Sequence, residues 1–186
     1  MDKQPLEDDL MLVQRAQAGN AEAVGLLFDR HYPTMFRYFY ARVRQQQQAE
    51  DLAGELFTRM VHHLPSFEPA GVPFRAWLFR IAYNLTMDHF RVQNGRPLES
   101  LAQAQPVAQP EQNPVRRVEQ QMNNETLLAA LETLVPDQRQ VLILRFMMGL
   151  SLQETAVIME RSLSAVKAMQ HRGLKIMRAS LAQVEL

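Results

Sequence analysis

Wherever apolar residues recur regularly in this chain, they do so at helical spacing. Between positions 74 and 93, Phe74, Trp77, Leu78, Ile81, Ala82 and Leu85 follow the i, i+3, i+4, i+7 order of a helix with one buried face. Arg80, Asn84, Met87 and Arg91 form a mostly polar stripe on its other side. Earlier in the chain the pattern breaks at Gly19 and Asn20, at Pro33 and across 65–73, which predicts helices over 8–18, 20–32, 33–44 and 49–64. A second block starts with a helix capped by Asn124 or Thr126 and running to about 134. Pro136 and Asp137 then open another, which carries Val141, Leu142, Leu144 and Arg145 ahead of Gly149. Ser151 with Glu154 makes a capping box. A short helix to Met159, a tight turn at Glu160, Arg161 and Ser162, and a longer helix from Leu163 complete a helix-turn-helix pattern. No alternating strand pattern stands out, so the expected fold is all-α.

The two blocks are separated by 94–121, where Pro97, Pro106, Pro110 and Pro114 lie among many Gln and Ala residues with little apolar periodicity. That composition reads as a linker, extended or disordered. The expected organisation is two small helical domains joined by a Pro/Gln-rich linker: an N-terminal helical bundle at 1–93 and a C-terminal helix-turn-helix domain at 122–186.

Composition refines this picture in four ways. With 186 residues and 47% hydrophobic content, two small cores can be buried. No run of 18 apolar residues occurs, so no membrane insertion is expected, and the polar, acidic start at Met1 to Pro5 does not read as a secretory leader. The chain has no cysteine, which excludes disulfides and thiolate metal sites and is compatible with a cytoplasmic location. The formal net charge is zero, but the charges are not evenly spread. Arg161, Lys167, Arg172, Lys175 and Arg178 follow one another with no acid between them, whereas Glu7, Asp8, Asp9 and Glu50, Asp51, Glu55 gather elsewhere. Zero net charge is thus the sum of opposite patches, and the basic one is compatible with a nucleic-acid partner, whereas Asp51 and Glu55 read by themselves as a solvated helix face.

The residues offer little enzyme chemistry. No nucleophile–base constellation, Gly-rich phosphate loop or metal-ligand spacing appears, so no catalytic residue, cofactor or metal is expected. His62 and His63 are adjacent, and neighbouring helical residues point apart. In the helix-turn-helix, Leu152, Ala156, Met159, Val166 and Met169 occupy the inward positions. Arg161 and Ser162 in the turn, with Ser164, Lys167, Ala168, Gln170, His171 and Arg172 on the second helix, are then offered to a major groove.

The stretch from Leu134 to Ala156, continued by Arg161, Ser162, Ala165, Val166, Lys167 and His171 to Leu174, resembles region 4 of the bacterial sigma factors. Residues 49–57 are similar to the family's segment that grips the polymerase clamp helices, and 74–84 with 88–91 to its promoter-melting helix. The resemblance spans both blocks and implies a sigma factor of the compact extracytoplasmic-function (ECF) type, a non-catalytic initiation subunit of RNA polymerase. It implies core polymerase contacts at Asp51, Glu55, Leu56, Phe57 and Arg59, and −35 recognition by the helix-turn-helix residues above. For the −10 element it implies Ser66, Phe67, Arg80, Asn84, Asp88 and Arg91, with the 65–72 loop holding an extruded base and Phe67 supplying a stacking surface. An anti-sigma factor is the further partner it implies. Glu160 stands where the family usually has Gly, and Thr155 where Ile or Val is usual. Simpler readings exist for single residues: Phe74 and Trp77 as core, and Asp88 with Arg91 as a surface i, i+3 pair. A free-standing operator-binding regulator would explain the C-terminal block but would leave the N-terminal motif without a purpose. A helical enzyme lacks any reactive constellation, and a degenerate family member would act through protein contacts alone.

Overall fold

The computed structural model describes residues 8–68, 72–94 and 125–182. Beyond Asn94 the expected linker lies outside the described residues. Every regular element described is helical, in agreement with the all-α expectation, and the helices form two compact units, one on each side of 95–124.

The first unit contains α1 (Asp9–Gln17), α2 (Ala21–Val43), α3 (Gln46–His63), a 3-10 turn (Leu64–Ser66) and α4 (Phe74–Asn94). Gly19 and Asn20 divide α1 from α2 by two separate devices. Gly19 takes φ +89°, and the N–H groups of Gly19 and Asn20 turn back onto the carbonyls of Ala16 and Arg15, each at 3.0 Å. The Asn20 side chain then accepts the Ala23 N–H at 2.9 Å and so caps α2. Pro33 does not start a new helix as its position suggested; it lies inside α2. A proline there forfeits a backbone hydrogen bond and costs about 3 kcal/mol. The buried residues Leu27, His31, Met35, Tyr38 and Phe39 run on either side of it along one face, and their packing holds the helix through the break.

That face meets α3 through Ala53, Leu56 and Met60, and α4 through Leu78, Phe79 and Ala82, all with no solvent exposure. Tyr38 and Phe79 meet edge to face at 5.6 Å. Arg42, in the last turn of α2, is 4% exposed and lies over the Phe90 ring of α4 at 5.2 Å. At the other end α1 is tied to α2 by Asp9. Its carboxylate accepts from Arg30 Nη1 at 2.8 Å and lies 3.0 Å from His31 Nε2. The hydrogen bond to His31 holds the Asp9 carboxyl below its ordinary 3.8, helped by Arg30 and opposed by partial burial.

The second unit comprises α5 (125–132), α6 (Pro136–Leu142) with a π-helical continuation (Ile143–Met147), α7 (Leu152–Met159) and α8 (Leu163–Ala182). The capping box forms in full: Ser151 Oγ accepts the Glu154 N–H at 3.1 Å, and Glu154 Oε2 accepts the Ser151 N–H at 2.7 Å. Thr155 is fully buried, and its hydroxyl donates to Ser151 O at 2.8 Å, so its polar atom costs the core little. Glu160 adopts φ 53°, with Arg161 N–H on Ala156 O at 3.0 Å and Glu160 N–H on Val157 O at 3.3 Å. This is the turn that Gly19 makes, here with a side chain on the left-handed residue. Helices α6 and α8 cross closely at Gly173, where a Cβ would stand 3.2 Å from Leu142 Cδ1. Arg145 links both ends of the motif: it donates to the Leu150 carbonyl before α7 and to Gln170 Oε1 on α8.

Two stability outcomes follow from this packing. Glu160→Gly relieves the left-handed strain and should stabilise the chain by about 0.5–1 kcal/mol, raising the melting midpoint of the second unit by about 4 °C. An unchanged or lower midpoint in calorimetry would contradict that account of the turn. Asp9→Ala should lower the stability of the first unit by about 1 kcal/mol at pH 7 in urea unfolding. Because the folded state lowers the Asp9 pKa, its contribution is present above pH 3.8 and fades as pH falls through the folded value. The gap between wild type and variant should therefore narrow as pH falls below 3.8, and a gap that stays unchanged throughout the acid titration would assign the loss to something other than the carboxylate.

Candidate nucleic-acid and polymerase surfaces

Helix α8 buries Val166, Met169, Gly173 and Met177 on one side, which turns the basic residues to the other. Arg161, Ser162, Ser164, Lys167, His171 and Arg172 are all exposed. Lys167, His171 and Arg172 make no hydrogen bond or ion pair among the described residues. Arg161 reaches Asp137 at 3.4 Å, an exposed pair that water and DNA phosphate can both displace. Ser162 caps the helix by accepting the Ala165 N–H at 3.2 Å. Ala168 and Gln170 differ from expectation: both are half-buried, and Gln170 is turned toward Arg145. Gln170 positions the helix rather than standing free on it.

On α4, Arg80, Asn84, Asp88 and Arg91 are exposed and share one stripe by the i, i+4, i+8, i+11 spacing. Asp88 and Arg91 form a surface pair at 3.2 Å. His89 turns inward beside them, and burial keeps its imidazole below the ordinary 6.5, so at neutral pH it adds no charge to the stripe. Trp77 corrects the reading that placed it wholly on the core face. It precedes Arg80 by three positions and Asn84 by seven, so it shares their side of the helix and is half-exposed.

Phe67 requires the opposite correction. Instead of standing out as a stacking surface it is 7% exposed, with its ring 4.8 Å from Trp77 and 5.7 Å from Phe74. Its apolar ring is worth more under α4 than in water. Phe67 therefore anchors the loop, and Trp77 is the aromatic that reaches the surface. Ser66 is exposed and its hydroxyl donates to His63 O at 2.9 Å. Residues 69–71, the middle of the expected base-holding loop, lie outside the described residues.

On α3, Asp51 and Glu55 face solvent, and Glu55 accepts from Arg59 Nε at 2.8 Å. Leu56 and Phe57 do not belong to that surface. They are 0% and 5% exposed, with Phe57 packed 4.6 Å from Phe28 of α2. Ala49, Ala53, Leu56, Phe57 and Met60 make up the inward side of α3, and one helical period cannot turn the same residues outward.

With these surfaces in place, the relatives of the chain are informative. Residues 27–96 match the family description Sigma-70 region 2, and 124–177 match Sigma-70, region 4. The ECF RNA polymerase sigma factor BldN of Streptomyces coelicolor is 38% identical over 164 residues, covering 88% of this chain and 62% of BldN, so BldN is substantially longer than the stretch matched. The ECF RNA polymerase sigma factor SigX of Bacillus subtilis is 34% identical over 161 residues, covering 84% of this chain and 82% of SigX. Among solved structures, CnrH in complex with the cytosolic domain of CnrY aligns over 94% of this chain and 97% of CnrH, with a TM-score of 0.68 at 26% identity. By these matches the chain belongs to the ECF family of RNA polymerase sigma factors.

Proposed function

We infer that this chain docks on core RNA polymerase, brings it to particular promoters and helps open the −10 element, without catalysing any step itself. The observation that carries this reading is the stripe Arg80, Asn84, Asp88 and Arg91 beside half-exposed Trp77, built on a helix whose other face is fully buried. A flat aromatic next to hydrogen-bonding and cationic groups suits unstacked single-strand bases. In this assignment residues 1–93 act as the region 2 domain, 94–121 as the linker and 122–186 as the region 4 domain. Asp51 and Glu55 offer an acidic patch to the polymerase, and Leu56 and Phe57 hold that helix in place from inside. Lys167, His171 and Arg172, with Arg161, Ser162 and Ser164, read the −35 element in the major groove. CnrH was solved with the cytosolic domain of CnrY. Membership of the sigma factors makes a partner of the anti-sigma kind expected for this chain too, and places its work where the polymerase works, in the cytoplasm. No described helix is long and apolar enough to cross a membrane.

Run-off transcription with core polymerase on a library of genomic promoter fragments tests the reading as a whole. Selective initiation is expected, and tight sequence-specific binding without polymerase would favour a free-standing regulator instead. Within that assay, Lys167→Ala or Arg172→Ala should weaken promoter use by about 1–3 kcal/mol where a bidentate base contact is lost, with core binding unchanged. Normal transcription by both variants at limiting promoter would remove α8 from the −35 role. Asn84→Ala, Arg80→Ala and Trp77→Leu should each reduce permanganate reactivity of −10 thymines, Trp77→Leu by about 1–3 kcal/mol of lost stacking. A template already melted across −10 should recover part of the yield. Full reactivity in all three variants would leave the α4 stripe as ordinary surface.

A further inference from the structure

Helix α1 lies outside the residues that match either sigma region, yet one of its side chains reaches the −10 surface from behind. Gln17 is in the last turn of α1, and its Nε2 donates to two backbone carbonyls far along the chain: Leu64 at 2.9 Å and Phe67 at 2.7 Å. Leu64 O also accepts the Phe67 N–H at 3.1 Å, so one amide group clamps both ends of the 3-10 turn that follows α3. The Phe67 ring, fixed by that clamp, lies under Trp77 at 4.8 Å, and Phe74 closes the cluster at 5.6 Å from Trp77. The Schellman-type turn at Gly19 fixes where Gln17 ends up, because it stops α1 just after that residue.

We propose that Gln17 is a positioning residue for −10 recognition, acting through Phe67 to set the depth and tilt of Trp77 on the α4 stripe. This rests on the assignment of that stripe to unpaired −10 bases. The physical argument is one of donors and acceptors. Leu64 O has a second lone pair beside the one that takes the Phe67 N–H, Phe67 O lies within reach of the same point, and a glutamine amide offers two N–H groups from a single nitrogen. Glutamate at the same place has the same shape but puts acceptors against acceptors. Methionine has similar reach and helix propensity but no donor. Either change releases the turn, and Phe67 is then free to shift under Trp77 while the apolar core of α2, α3 and α4 stays packed.

The chain has a single tryptophan, so tryptophan fluorescence, excited selectively over the tyrosines, reports Trp77 alone. In full-length Gln17→Met and Gln17→Glu, acrylamide quenching of that fluorescence should rise about twofold, with helical circular dichroism retained. With core polymerase, the ratio of run-off yield between a cognate promoter and one altered at a single −10 base should fall about fivefold, the scale of one lost hydrogen bond. The corresponding ratio for a −35 alteration should stay at the wild-type value, since those contacts belong to α8. If Gln17→Glu does not fold, Gln17→Met carries the test. Wild-type quenching in a folded variant overturns the proposal, and so does a loss of −10 and −35 discrimination in equal measure. If wild type itself fails to initiate with core polymerase, the promoter-opening assignment falls, and the proposal as a statement about −10 recognition falls with it. Raised quenching in the variants would then leave Gln17 only as the clamp on Trp77.

Discussion

The helical period of α4 governs the first unit: a single helix must complete the core and carry a polar working surface. Leu78, Phe79 and Ala82 have no solvent exposure, and Phe74 and Leu85 are nearly as deep. Their burial fixes the rotation of the helix, and that rotation alone decides that Arg80, Asn84, Asp88 and Arg91 face outward together. Positions at the border between the two faces inherit both roles. Trp77 is such a position, packed on Phe67 and Phe74 from below and open from above. A side chain held in this way keeps one orientation, and in the −10 role proposed for it that rigidity would leave little ordering to be done on binding.

The second unit meets the same requirement with different means. Helix α8 is oriented by a satisfied cap, a left-handed turn and a close crossing rather than by a large aromatic core. Ser151 and Glu154 set the start of α7, Glu160 sets the angle to α8, and Gly173 lets α8 approach Leu142. Arg145 locks this arrangement from the side by bonding to both Leu150 and Gln170. Its geometry explains why a polar residue on α8 can be half-buried while its neighbours Lys167, His171 and Arg172 remain exposed.

Zero net charge conceals a division of labour. The acidic side of α3, with Asp51 and Glu55, and the basic side of α8 lie in different units, so each can present one sign of potential to its own kind of partner. Cancelling charges also limit indiscriminate attraction to DNA, whose phosphates reward any strongly basic protein. A subunit that reads promoters only when assembled would benefit from weak binding alone.

Much of this was determined by local sequence. The helix boundaries at Gly19, Asn20, Ser151 and Glu160 depend on φ preferences and on hydrogen bonds within a few residues, so they are legible one segment at a time. The outward stripe of α4 and the exposed Lys167, His171 and Arg172 of α8 were legible for the same reason, since periodicity assigns faces without knowing the neighbours, whereas Ala168 and Gln170 were read as outward and are half-buried. Only tertiary structure decided the rest. Pro33 stays inside α2 because burial on both sides of it outweighs a local cost that sequence reading took as decisive. Leu56 and Phe57 lie in a stretch whose motif points to a protein interface, and packing against α2 takes them inward. Phe67 looks like a free loop aromatic until α4 is laid over it, and Trp77 looks like core until its neighbours leave one face uncovered. Gln17 has no local signal, because its two acceptors lie 47 and 50 residues away along the chain. Local rules govern φ, caps and periodicity, whereas the choice between core and surface at a border position depends on which distant side chain packs against it.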